Sequence, residues 1–276
     1  ATPKETAGFQ KVVAKAESKT RMKALAKLTE VVDGRLRFKS DPPLLVAMDD
    51  LPEGADDRLR QVVVDALQEY RTTLSDDRRY LLETYRFVDL ARKVVGVGSV
   101  GTRCWLALFV GRDDDDPLFL QIKEAEASVL ERFLGPSEYP ESGQRVVEGQ
   151  RLMQSSSDIF LGWHRVRADE PIDGRHHDYY VRQLWDGKGS AVVETMSPKT
   201  MGMYGEMCGW TLARAHARSG DPIAIDAYLG TGSKFDKAIT AFARAYADQN
   251  DRDHRAVVDA IADGRLPSMA EPTTAV

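Results

Sequence analysis

The sequence predicts an α+β fold, a small antiparallel sheet with a glycine-rich loop carried between largely helical N- and C-terminal parts. Three observations predict it. Strand-type runs are gathered between residues 94 and 185. On either side of them, apolar residues recur at helical spacing. Within "VVGVGSVGTR", Gly96, Gly98 and Gly101 fall in a Gly-x-Gly-x-x-Gly pattern at the head of the strand-type stretch.

The elements follow in order. Val12, Val13, Ala16, Met22, Leu25, Leu28 and Val32 keep helical spacing, so residues 10–32 are expected to form a helix. Asp33-Gly34 between β-type residues signals a hairpin or a helix stop. "SDPPLL" is a breaker. Residues 56–73 and 76–86 read as two helices, with Val62, Ala66, Leu67 and Tyr70 along one face of the first. "FVDLARKVVGVG" starts helical and turns extended by Val94-Val95. "TRCWLALFVG" and "LFLQIKEA" read as strands about an aspartate-rich turn, and "SGQRVVEGQRLMQ" as a helix. "FLGWHRVR" and "DYYVRQLW" read as strands joined by a polar loop with Pro171 and Gly174. The remainder is helical: about 198–218, Lys234 to Asn250, and Asp253–Asp263. Three regions result: a helical one over 1–86, a strand-rich one over 87–190 and a helical one over 191–276.

With 276 residues, 42% of them hydrophobic and 29% charged, the chain suffices for one large domain or two small ones. No apolar run approaches the roughly 18 residues of a membrane span. "ATPKETAGFQ" has no apolar signal region, and Cys104 and Cys208 stand in no metal or redox spacing. A cytoplasmic protein with reduced thiols and no membrane partner is therefore expected. The net charge of −5 is uneven, since residues 1–40 hold ten Lys/Arg against four acids. A basic arm on nucleic acid is one reading, but no aromatic interleaving or nucleic-acid motif supports it, and a solvated helix face is expected instead.

What do the glycines hold? A dinucleotide fingerprint needs a helix after them and an acid after the next strand. Glu124 offers the acid, but "TRCWLALFVG" is short, strand-forming and ends in a turn. The alternative is strand, glycine turn, strand, turn, strand. In that arrangement backbone N–H groups of Gly96, Gly98, Ser99 and Gly101 approach a triphosphate. Lys123, ending "LFLQIK" on a strand face shared with Gln121 and Phe119, resembles the strand lysine of kinases that reaches the phosphates. Glu148, in the following helix, is the expected acidic partner, because Glu124 points to the opposite face. Backbone groups near Gln183 to Trp185 would meet an adenine edge. Each residue alone has a plainer reading: a hairpin turn, a snorkelling strand-end lysine, a surface acid. Their order favours the kinase-type arrangement.

"DLARKVVGVGSVGTRCWLALFVGRDDDDPLFLQIKEA", "GQRVVEGQRLMQSSSDIFLGW", "YYVRQL", "CGWTLARAHARSGD" and "AYADQNDRDH" resemble the bacterial family called domain of unknown function 2252 (DUF2252), from about Ala24 to Leu266. The resemblance implies a protein-kinase-like or aminoglycoside-phosphotransferase-like fold, ATP bound through Gly96–Gly101 and Lys123, and Glu148 as partner. It supplies no substrate. It also implies that full-length relatives carry a Gly-Asp-x-His-x-x-Asn segment and an aspartate-rich turn upstream. The chain thus resembles the C-terminal part of the family, permuted and truncated, with Mg²⁺ only if the missing carboxylates are supplied. An upstream lobe or self-association is the expected partner of the apolar surface this would leave.

Phosphoryl transfer needs an aspartate at the acceptor and carboxylates for Mg²⁺. Gly220-Asp221, with Asp226 beyond, is the nearest string, and its plainer reading is a helix start beside Pro222. His176-His177-Asp178 offers adjacent histidines that point apart, a poor metal site. Asp113–Asp116 lacks the ligand spacing of a calcium loop. "DQNDRDH" reads as a helix junction, and Cys208, Trp210 and Leu212 as core.

Overall fold

A computed structural model describes residues 21–51, 57–96, 101–167, 175–184 and 191–267. Within them, helix α1 spans Arg21–Leu28 and passes directly into strand β1, Thr29–Val32, paired with β2, Arg35–Phe38. The helix expected to reach residue 32 therefore stops four residues earlier. Asp33 and Gly34 both take positive φ, 50° and 74°. That is the backbone of a two-residue turn whose twist matches flanking strands, and the β-branched Thr29, Val31 and Val32 follow it into the hairpin. The portion of the expected helix before residue 21 lies outside the described residues.

The central sheet has six antiparallel strands. They are β3 (Leu45–Ala47), β4 (Arg86–Lys93), β5 (Cys104–Val110), β6 (Pro117–Ala125), β7 (Gly162–Val166) and β8 (His177–Gln183), in the order β3-β4-β5-β6-β8-β7. "FVDLARK" is strand from its first residue, not helix as its spacing suggested. It is paired on both sides, and an irregularity between Phe87 and Asp89 breaks its alternation. Asp89 turns inward there and accepts the N–H groups of Phe38 and Leu90, each at 2.8 Å. Burial of that carboxyl raises its pKa.

Both faces of the sheet are covered over much of their area, which is why β5 reads as an unbroken apolar run. On the first face, Leu90, Ala107, Phe109, Leu118, Leu120 and Val181 meet Leu67, Tyr70, Leu74 and Leu82. Those four come from α2 (Asp57–Thr72), α3 (Asp76–Glu83) and the turn between them. Val62, Ala66, Leu67 and Tyr70, expected along one face of α2, line an apolar cavity of about 80 Å³ against the sheet. On the second face, Ala91, Leu106, Leu108 and Phe119 meet Ala24, Leu28 and Phe38 of α1 and the β1–β2 hairpin. After a short helix, α4 (Glu131–Leu134), helix α5 (Ser142–Met153) packs on β7 and β8. It comes so close at Gly143 that a Cβ there would collide with the Tyr179 carbonyl.

The chain divides into two compact units, Ala1–Ala215 and His216–Val276. Helix α6 (Pro198–Ser219) begins in the first and ends in the second. Trp210 and Leu212, expected in a core, are 61% and 59% exposed, and Cys208 is partly exposed. The second unit continues with α7 (Pro222–Leu229) and α8 (Lys234–Ala262). Asp221 caps α7, accepting the N–H groups of Ile223 and Ala224 at 2.9 and 3.1 Å. Helix α8 runs unbroken through "DQNDRDH", where a junction was expected. No Gly or Pro interrupts it, and Gln249 bridges to Asp253 one turn on, at 2.7 Å. Among the described residues, no helix is long and apolar enough to cross a membrane.

The close approach at Gly143 gives a direct test. Gly143→Ala is expected to lower the unfolding free energy by about 1–3 kcal/mol, because backbone and a tryptophan Cβ must move. Gly149→Ala, in the same helix and facing only the end of Met153, is expected to raise it by up to about 1 kcal/mol through helix propensity. Urea unfolding of both variants measures the contrast.

Candidate functional site

The glycine turn joins β4 to β5, neighbouring antiparallel strands, and a strand follows it. Strand β5 starts at Cys104, where the dinucleotide-binding arrangement needs a helix. Gly96 and Gly101 are exposed, with open space where a Cβ would sit, and Gly101 holds φ at 86°. Gly98 and Ser99 lie outside the described residues.

Strand register sets the next layer. Cys104 on β5, Lys123 on β6, Tyr180 on β8 and Trp163 on β7 stand in one row. Residues directly opposite in a sheet share a face, so all four side chains project from the second face. In the adjoining row, Leu106 pairs with Gln121 and Gln121 with Arg182. The Arg182 guanidinium donates to the Gln121 carbonyl oxygen, Nε at 3.2 Å and Nη2 at 3.0 Å. The Gln121 amide nitrogen lies 3.6 Å from Cys104 Sγ. Lys93 ends β4 two residues beyond Ala91, on the same face.

Cys104 thus has three cations around it. Burial pushes its thiol pKa up, and the charges of Lys123, Lys93 and Arg182 pull it back part of the way. Among the described residues, the side chains of Lys93 and Lys123 make no hydrogen bond or ion pair, and that of Arg182 bonds only to the neutral Gln121. Such a patch attracts anions.

The opposite face at the same end of β6 is neutralised. Glu124, with a side chain 6% exposed, has Arg103 Nη1 at 3.0 Å and His177 Nδ1 at 2.7 Å, and it accepts the Arg103 N–H at 2.7 Å. On the face of Lys123, two residues before Tyr180, Asp178 accepts from Arg165 Nε at 2.6 Å and from the Ser142 N–H at 2.6 Å. These groups line a polar groove of about 570 Å³ beside Gly101. Among the described residues no His/Cys/Asp/Glu group could hold a metal ion, His176 and His177 included.

One protein family matches residues 1–260, described as "Uncharacterized protein conserved in bacteria (DUF2252)". The chain belongs to this family. No curated protein and no solved structure matches it.

In this DUF2252 chain, the residues expected at the site fall into two groups. Lys123 faces the same side of the sheet as α5, and Glu148 is carried by that helix. The two are not paired. Glu148 Oε1 lies 3.0 Å from Arg151 Nη1, and Arg151 is itself fixed over the Trp163 ring and to the carbonyls of Thr73 and Leu161. A neighbour one turn away on the helix outcompetes a lysine across the cleft. Gln183 is set apart from Lys123. Its side chain shares the first face with Val181, and its N–H is held by Asp158 Oδ2 at 2.7 Å. The next amide, Leu184, donates to the Phe119 carbonyl at 2.9 Å. Trp185 lies outside the described residues. Sequence reasoning missed Lys93 and Arg182. The one available signal was period-two alternation, which puts Arg182 of "YYVRQL" with Tyr180 and Lys93 with Ala91.

The two ends of β6 chemistry differ in what they hold, and mutation separates them. Glu124→Ala is expected to cost about 2 kcal/mol of stability, at the low side for a broken buried pair because Arg103 keeps 36% of its side chain in water. Lys123→Met is expected to leave stability unchanged within about 0.5 kcal/mol, as for other residues without a structural partner. Thermal and urea unfolding of each variant reads the difference.

Proposed function

We propose that the chain is the ATP-binding region of a protein-kinase-like phosphotransferase whose catalytic aspartate and Mg²⁺ ligands come from outside the residues seen here. The observation that carries this reading is Lys123: an unpaired lysine on the strand beside the one that leaves the glycine turn, followed by a helix with a glutamate on its side of the sheet. Kinases use this succession of parts to grip the nucleotide phosphates. Gly96, Gly98, Ser99 and Gly101 supply the covering turn, and Lys123 the charge. Glu148 completes the grip by exchanging Arg151 for Lys123 when the phosphates arrive. The adenine edge meets backbone beyond Leu184, near Trp185, since the Gln183 and Leu184 amides are engaged. Mg²⁺, if carboxylates from outside the described residues held it, would supply neutralising charge to the phosphates.

A second reading has support of its own. Since no His/Cys/Asp/Glu group among the described residues could hold a metal ion, the grip suits nucleotide binding without turnover, a pseudokinase-like or structural module. One titration addresses both. ATP binding followed calorimetrically, with and without Mg²⁺, is expected for the wild type and at least about tenfold weaker for Lys123→Ala. Mg²⁺-independent affinity favours the module without turnover. Absence of binding, or equal binding by the variant, removes the nucleotide reading.

The partner proposed for this region is an upstream lobe or a second copy of the chain. Its support is the exposed apolar side of α8, where Ile239, Phe242 and Tyr246 are at least half exposed in succession. Sedimentation velocity is expected to show concentration-dependent association, weakened by Phe242→Glu. A monomer at all concentrations would leave only the upstream lobe.

A further inference from the structure

Resting on the nucleotide reading, we infer that this site recognises its ligand through the phosphates and hardly through the base, so that inorganic triphosphate is held about as well as ATP or GTP. Two independent features of the second face and its edge lead there.

The first is the arrangement of charge. Lys93, Lys123 and Arg182 come from three strands, β4, β6 and β8, and surround one point, the Cys104 thiol. A single lysine marks the place of one phosphate. Three cations, none of them ion-paired with a carboxylate among the described residues, form a receptor for an anion of about three charges, the charge of a di- or triphosphate. Arg182 is the best organised of them. Its Nε and Nη2 are already fixed on Gln121, which leaves the other guanidinium nitrogen as a directed donor, suited to a phosphate oxygen.

The second is the treatment of the base. A purine is read by apolar stacking and by backbone donors at the strand edge. Here the position on β6 two residues before Lys123 is Gln121, a buried amide tied to Arg182 and placed beside Cys104. The two amides at the end of β8 are spent on Asp158 and Phe119. A ring entering this face meets polar groups that are satisfied already, and it gains little from displacing them.

The test is calorimetry on the full chain at fixed ionic strength without Mg²⁺, using ATP, GTP and inorganic triphosphate, with Arg182→Gln and Lys93→Gln as variants. The three ligands are expected to bind within about threefold of one another. Each variant is expected to weaken all three by a similar factor, about tenfold, the range of one charge-assisted contact. Affinity is expected to fall as salt rises, as for a site held by charge. ATP bound tenfold or more tighter than triphosphate overturns the inference, and so does unchanged binding in the variants. In both cases Lys123-dependent ATP binding would leave the proposed function standing. Absence of all three ligands overturns both. Should Arg182→Gln lose its fold through Gln121, Lys93→Gln at the strand end decides.

Discussion

The period of two along β6 is the constraint on which the site depends. Glu124 is clamped on the first face by Arg103 and His177, and its oxygens are taken. Strand geometry then leaves Lys123 no choice of side: it projects from the second face, next to Cys104. A slip of one residue in the pairing of β6 would put a buried carboxylate among cations and a lysine against Arg103. The clamp therefore does two things. It fixes the register of the strand, and it ties Arg103, the last residue of the glycine turn, to the strand that bears the lysine.

The same alternation explains why the charged patch survives at the edge of an apolar sheet. Toward β6's start, the second face is closed by Phe38, Leu106, Leu108 and Phe119. Toward its end those neighbours give out, and Lys93, Lys123 and Arg182 take the positions that α1 and the hairpin leave half-open. Water still reaches the cations, so their desolvation stays small. Cys104 marks the boundary between the two environments. It is 3% exposed yet close to all three charges, and burial keeps its thiol protonated against their pull.

Legibility followed local physics. β5, β6 and β8 were readable because β-branched and aromatic residues fill short runs bounded by turns, and α5 because its apolar spacing has no competitor. The face of Lys123 was readable because an alternating strand declares its faces. The first helix was over-extended since Leu28 and Val32 keep helical spacing, while the deciding information lay in Asp33-Gly34 and the strand beyond. β4 was misread because pairing on both sides and an irregularity at Asp89 removed its alternation. The polar stretch inside α8 looked like a break, although polar residues on a solvated helix cost little. The partner of Glu148 was beyond reach. Choosing between Arg151 and Lys123 requires knowing that Trp163 and two carbonyls hold Arg151 in place.

Three like charges held near one another by a rigid sheet repel, and the protein accepts that cost in the absence of an anion. The repulsion cannot be relieved by moving the strands, because β5, β6 and β8 are paired along their lengths and their core residues are closely packed. On the proposed reading, it is relieved by a ligand that carries negative charge into the patch. Ligand affinity and fold stability then share one origin: whatever neutralises Lys93, Lys123 and Arg182 stabilises the sheet end that presents them. Glu148 cannot do this while Arg151 holds it. On the proposed reading, the glycine segment between β4 and β5 complements the patch with uncharged N–H donors.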